Sequence, residues 1–127
     1  MAKISPDRVA SGPAIEAIAA AGGFRIDGEV LEAALLTPET AIPWAPPAID
    51  ALDPSALGDL LTRDPAPEFL LLGTGTTLRR PSPAFTAALE AQGIGVEVMD
   101  SRAAARAWGV LRAEGREIVA ALMGLEG

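Results

Sequence analysis

The sequence predicts a mixed α/β domain, and three features carry that expectation. Glu68-Phe69-Leu70-Leu71-Leu72 is a short, nearly continuous apolar run of the kind that forms a strand buried on both faces. A helix signal at Ser82-Pro83 and a second strand-like run, Ile94 to Met99, follow it. Together they form a β-α-β unit whose strands are parallel and whose crossover is right-handed. Upstream, Asp27-Gly28 stands between the arms of a segment from Phe24 to Leu31 and predicts an antiparallel hairpin.

The elements follow in order. Residues 1–21 mix Pro, Ser and Ala with weak periodicity, and Gly12-Pro13 and Gly22-Gly23 interrupt them. A weakly ordered arm is expected there, with Ile15, Ile18 and Ala19 forming at most a helical turn. The α/β domain is expected to run from 22 to 127. In the hairpin, Gly28 tolerates the positive φ of the turn, and Phe24-Arg25-Ile26 alternates apolar and polar. Its second arm is expected to continue through Leu35 and Leu36 and to stop at Thr37-Pro38. Trp44 lies in an extended segment with Pro43, Pro46 and Pro47 that adds an edge strand. Asp53-Pro54 reads as a helix start, with Leu57, Leu60 and Leu61 on its apolar face. Asp64-Pro65-Ala66-Pro67 ends that helix. Phe85, Ala88 and Leu89 follow Ser82-Pro83 at helical spacing, and Gly93 suits the C′ position. Asp100-Ser101 opens the last helix. On it, Ala103, Ala104, Ala107, Trp108, Val110 and Leu111 fall on one side and Arg102, Arg106 and Arg112 on the other. Gly115 closes that helix, and Arg116 to Leu122 is the final strand.

Composition bounds the function. The 127 residues suit one domain; half are hydrophobic but only 4% aromatic, so the core is made of many small pieces. A net charge of −7 points away from nucleic acid and from anionic membranes, which recruit basic surfaces. The acid is uneven: ten acids against four bases up to Pro67, then seven against six, with every later base an arginine. Cys, His and Tyr are absent, which removes disulfides, thiolate chemistry and the commonest metal ligand and general base. Any catalysis would fall to Asp, Glu, Ser, Thr, Lys or Arg, so the enzyme question leans towards no, and neither a metal nor a cofactor is expected. No apolar run approaches the ~20 residues of a membrane span, and nothing resembles a signal or transit peptide. A cytoplasmic protein is expected.

The candidate site centres on Gly73-Thr74-Gly75-Thr76-Thr77, at the carboxyl end of the buried strand, where ligands dock in open α/β sheets. Its amides and hydroxyls suit an anion. It lacks the endings of a phosphate-binding or dinucleotide loop, so a tight strand exit is the alternative. Asp100 and Ser101 are expected beside it, Ser101 as the helix N-cap and as a polar wall of the same crevice. Arg102 and Arg106, one turn apart, form either a fork for carboxylate or phosphate or a solvated helix face, and Arg79 and Arg80 are placed to reach the same mouth. Glu114 tips towards the apolar side and calls for a partner, giving a structural ion pair with Arg116; a general acid is the sharper alternative. Trp108 is core or a partner anchor.

Glu68 to Gly75 (EFLLLGTG), Gly93 to Ala107 (GIGVEVMDSRAAARA) and Val110 to Leu122 (VLRAEGREIVAAL) resemble a family of small domains of unknown function. That family includes the mitochondrial respiratory complex I assembly factor 3. The hairpin and Trp44 fit the same pattern, so the resemblance spans most of Gly22 to Met123. It implies a three-layer β/β/α fold and, for the mitochondrial relative, a non-enzymatic role in assembling a membrane complex. Ser101 stands where Thr is common in the family, and Trp108-Gly109 where Tyr-Asn is common. The first reading is therefore a non-catalytic accessory or interaction protein with a protein partner, assisting assembly of a membrane-bound respiratory complex. The second is a small-anion or metabolite-binding protein, or weak enzyme, using the Gly-Thr-Gly crevice.

Overall fold

The computed structural model describes residues 12–20 and 22–125. Most of the expected arm lies outside these residues. Of the rest, Ile15–Ile18 forms strand β1 rather than a helical turn, because it pairs antiparallel with β2 (Phe24–Ile26). β2 and β3 (Glu29–Leu31) are the arms of the expected hairpin. Asp27 and Gly28 at its tip take φ of 51° and 86°, the left-handed pair that matches the twist of a two-residue hairpin.

The second arm does not continue as expected. The chain bends at Glu32-Ala33, and β4 (Ala34–Leu36) leaves the small sheet for a larger one. β4 turns through Thr37–Thr40 into β5 (Ala41–Pro43), with the Thr37 hydroxyl accepting from the Thr40 amide at 2.9 Å. Trp44 follows, its indole N–H donating to Ala56 O at 2.9 Å. The expected helix at Asp53-Pro54 is only a 3₁₀ turn, Pro54–Leu57, although Asp53 caps it as anticipated. Gly58, at φ 59°, ends it before an α-helical turn can repeat, yet Leu57, Leu60 and Leu61 are still buried.

The β-α-β unit forms as predicted. β6 (Phe69–Gly73) runs parallel to β7 (Gly95–Met99), and α1 (Pro83–Glu90) connects them, capped by Ser82 Oγ accepting from Phe85 N–H at 3.3 Å. α2 (Ser101–Ala113) then leads to β8 (Val119–Leu122), which inserts between β4 and β6. The large sheet has the order β5-β4-β8-β6-β7, with β8 antiparallel to β4 and parallel to β6.

That sheet is the middle of three layers. Leu35, Leu70, Leu72, Val119 and Ala121 point to one face and meet Leu57 of the 3₁₀ turn, Leu61 just after it, and Phe85 and Leu89 of α1. Ala34, Leu36, Leu71, Ala120 and Leu122 point to the other and meet Phe24 and Ile26 of the small sheet and Ala104, Ala105 and Trp108 of α2. The alternation has the period of two that strands impose. The fold is a three-layer β/β/α domain, with a mixed sheet, an antiparallel amino-terminal part and parallel β-α-β units.

α2 is rotated from its expected setting. Its buried stripe is Ser101, Ala104, Ala105 and Trp108, while Val110 is 61% exposed. In an alanine-rich helix the apolar contrast between faces is slight, and the indole of Trp108 sets the buried side by fitting under the small sheet. Its Nε1–H donates to Pro13 O at 3.1 Å. Arg112 belongs to neither face: its Nη1 donates to Arg116 O at 2.6 Å and holds the turn after the helix.

Candidate functional site

Strand exits of β6 and β7 do meet, as the sequence suggested, but they are sewn together rather than parted. Thr74 N–H donates to Met99 O at 2.9 Å, and Ser101 N–H donates to Gly75 O at 2.8 Å. Ser101 is fully buried, and its Oγ accepts from Gly75 N–H at 2.8 Å while donating to Met123 O at 2.7 Å. It is not the N-cap. Asp100 has that role, accepting from Ala103 N–H at 2.9 Å, and frees the serine to bridge three segments. Gly73 makes the approach possible: a Cβ there would stand 2.8 Å from Ser101 Oγ and 3.0 Å from Leu122 Cδ2.

The Gly-Thr loop is largely satisfied from within. Thr74, only 5% exposed, donates its hydroxyl to Thr77 O at 2.7 Å and accepts from Arg79 N–H at 3.0 Å. The amides of Thr74, Gly75 and Arg79 are thus committed, which leaves little of an anion-holding nest. Gly75 takes φ of 97°, as the tight strand exit requires.

The open space lies on the other side of the loop. A hollow of about 1170 Å³ is bounded by Thr74 to Thr77 and Arg79, by the segment from Trp44 to Asp50, and by Met123 to Leu125 with Glu32. It sits at the carboxyl ends of β6 and β8. Its walls are mostly small residues, Pro, Ala, Gly and Thr, joined by Trp44, Ile49, Met123 and Leu125; Arg79 is the one arginine among the described residues lining it, with Glu32 and Asp50 elsewhere on the wall. Gly73, Arg80, Asp100, Ser101, Arg102 and Arg106 do not line it. Arg102 and Arg106 are exposed on α2, which covers the opposite face of the sheet from α1. The expected arginine-rimmed crevice therefore splits into a closed seam at Ser101, a hollow with Arg79, and a separate basic strip on α2.

The expected pair of Glu114 with Arg116 is present at 3.9 Å, but it is the weaker contact. Glu114 is the C-terminal cap of α2 and is exposed, not tipped into the core. Arg116 is held mainly by Glu68, whose Oε1 lies 2.8 Å from Nη2 and 2.9 Å from Nε, while Glu68 Oε2 accepts from Glu117 N–H at 3.2 Å. The guanidinium hydrogen bond, with the Glu117 amide second, holds the Glu68 carboxyl below its ordinary range, and Glu68 raises Arg116 in return. The clamp ties the start of β6 to the start of β8. Among the described residues no group of three or more acidic side chains converges as metal ligands do.

Sequence reasoning missed Glu32, the Ala45–Asp50 wall and the Met123–Leu125 rim. These segments are remote from one another in the chain. Only the rigid Pro46-Pro47 pair signalled a fixed wall.

The three-layer fold is a known architecture. A Bordetella pertussis protein solved by NMR and described as a Mth938-like domain has it, at 28% identity and a TM-score of 0.75, over 97% of this chain and 91% of that one. A Bordetella parapertussis protein in a crystal structure is similar at 32% identity and a TM-score of 0.79, over 91% and 98%. A Bartonella henselae protein called an outer membrane protein matches at 25% identity and a TM-score of 0.78, over 92% and 98%. An uncharacterized protein of Rhodobacter capsulatus is 36% identical over 107 residues, 84% of this chain and 81% of its own. Residues 17–123 match the family described as protein of unknown function (DUF498/DUF598), and the chain belongs to that family.

Proposed function

We propose that this domain is a non-catalytic interaction module that receives an extended segment of a partner protein in the hollow at the β6 and β8 exits. The observation that carries the reading is the hollow's shape and lining. At about 1170 Å³ it exceeds the ~300–1,000 Å³ usual for small-molecule pockets, and small residues (Gly, Ala, Pro and Thr) make up most of its wall. Such a wall suits a main chain lying along it. Arg79 gives that segment one charged anchor, best matched by a carboxylate through fork-like hydrogen bonds. The committed amides of the Gly-Thr loop weigh against a free phosphate as the primary ligand.

The resemblance to a family with a respiratory-complex assembly factor makes an assembly client the first class of partner to examine, and the expected compartment is the cytoplasm. No helix of the described residues is long and apolar enough to cross a membrane. Affinity capture from the native host, with wild type, Arg79→Glu and Ala48→Trp in parallel, tests the reading. A partner set recovered with wild type and lost from both variants is expected, while Arg102→Glu retains it. Equal capture by all four would refute the hollow as the contact. A thermal-shift response to nucleotides or metabolites, abolished by Arg79→Glu, would instead establish a small-molecule site. Fractionation of the tagged chain tests the compartment, and recovery in the outer membrane would overturn it.

A further inference from the structure

The outer edge of the large sheet offers a second surface, separate from the hollow, since no residue of β7 lines that hollow. β7 bonds to β6 on one side only: Gly95 N–H donates to Glu68 O at 3.3 Å, and Met99 O accepts from Thr74 N–H at 2.9 Å. Backbone groups in a strand alternate between its two neighbours, so Gly95, Glu97 and Met99 address β6 while Val96 and Val98 address the outside. β7 is the last strand of the sheet, and among the described residues nothing bonds the outward N–H and C=O of Val96 or Val98. The two valine side chains pack against the core on the α1 face, which fixes the strand in place. Four hydrogen-bonding groups thus stand at the spacing an added strand uses.

Glu97 selects the strand. It is exposed, it is the one charged residue of β7, and it projects from the face opposite the two valines. A second copy of β7, set antiparallel so that each Val96 meets the other Val98 and all four groups pair, would bring the two Glu97 side chains directly opposite. In that non-hydrogen-bonded position Cβ atoms approach to about 4.5–5.5 Å, and like charges repel. A basic residue in the same place is attracted. We propose that the β7 edge binds an extended segment of another protein with the pattern apolar–Lys/Arg–apolar. Its basic residue lies opposite Glu97, and its apolar residues extend the valine row on the α1 face.

The test uses the full chain and two synthetic peptides, acetyl-Thr-Val-Lys-Val-Thr-amide and its Glu-centred counterpart, followed by residue-resolved NMR. In the free protein the Val96 and Val98 amides exchange with solvent quickly while the Glu97 amide is protected. The Lys peptide shifts and protects Val96 and Val98, binds roughly tenfold more tightly than the Glu peptide, and loses that advantage to it in Glu97→Lys. Val98→Pro removes one outward N–H without touching the β6 ladder, so it keeps cooperative unfolding and loses peptide binding. Should that variant fail to fold, amide exchange and the Glu97→Lys reversal decide alone. Protected Val96 and Val98 amides in the monomeric free protein, equal affinity for the two peptides, or a preference unchanged by Glu97→Lys would each overturn the proposal. Dimerisation of wild type through β7 at neutral pH would do so too, since the occupant would then be a second copy.

Discussion

Replacing Ser101 by Ala deletes one oxygen atom from the seam where β6, α2 and the end of β8 meet. That oxygen is fully buried, accepts from Gly75 N–H at 2.8 Å and donates to Met123 O at 2.7 Å. Alanine leaves both backbone groups without this partner. An orphaned buried polar group costs ~1–3 kcal/mol, so two of them give an expected loss of about 2–6 kcal/mol. With a urea m-value of about 2 kcal/mol/M for a domain of this size, the unfolding midpoint falls by roughly 1–3 M. Tryptophan fluorescence follows the transition, because Trp108 is buried beneath the small sheet. Arg102→Ala, one residue along and exposed, is the control and stays within about 0.5 kcal/mol. A Ser101→Ala midpoint indistinguishable from that control would refute the bridging role.

Gly73→Ala forces a Cβ to within 2.8 Å of Ser101 Oγ and is expected to cost ~1–3 kcal/mol; in the Ser101→Ala background the penalty shrinks, and a double-mutant cycle in urea measures that coupling. Trp108→Phe loses the indole bond to Pro13 O and part of the core volume, with an expected loss of about 1–3 kcal/mol by the same denaturation. The Glu68 carboxyl has its pKa lowered in the fold, so its clamp on Arg116 contributes fully above the ordinary value of 4.5 and is lost as pH falls through the lowered one. Urea midpoints of wild type and Glu68→Gln should therefore differ at neutral pH and converge in acid. Arg116→Gln should remove the Glu68-dependent part of that difference.

Much of the second half was readable from local signals. The Ser82 cap, the Asp100-Ser101 helix start, the Leu70-Leu71-Leu72 run and the glycines at 93 and 115 each act within a few residues and placed their elements, although Asp100 and not Ser101 is the cap. The first half hid its topology because Val30 to Leu36 is apolar but for Glu32, while the switch between sheets at Glu32-Ala33 depends on β8 arriving to pair with β4. The setting of α2 was obscured by alanine, which packs inward or outward at little cost, so that Ala105 turned in and Val110 out. At the site, the sequence correctly put Thr74 and Ser101 together. It could not show that the serine closes the gap instead of lining it, because that depends on Met123, a residue brought there only by the finished sheet.

The placement of β8 sets the order of events in assembly. Until Val119–Leu122 slides into its slot, the β4–β5 ribbon and the β6–β7 pair share no ladder, and the nascent sheet is two separate flaps with raw edges. A ribosome must therefore have released Val119–Leu122 before the centre can close, and until then both flaps keep unpaired edges. Loss of those four residues would unfasten the molecule at its middle, whereas an equally short deletion at β5 would only trim its margin.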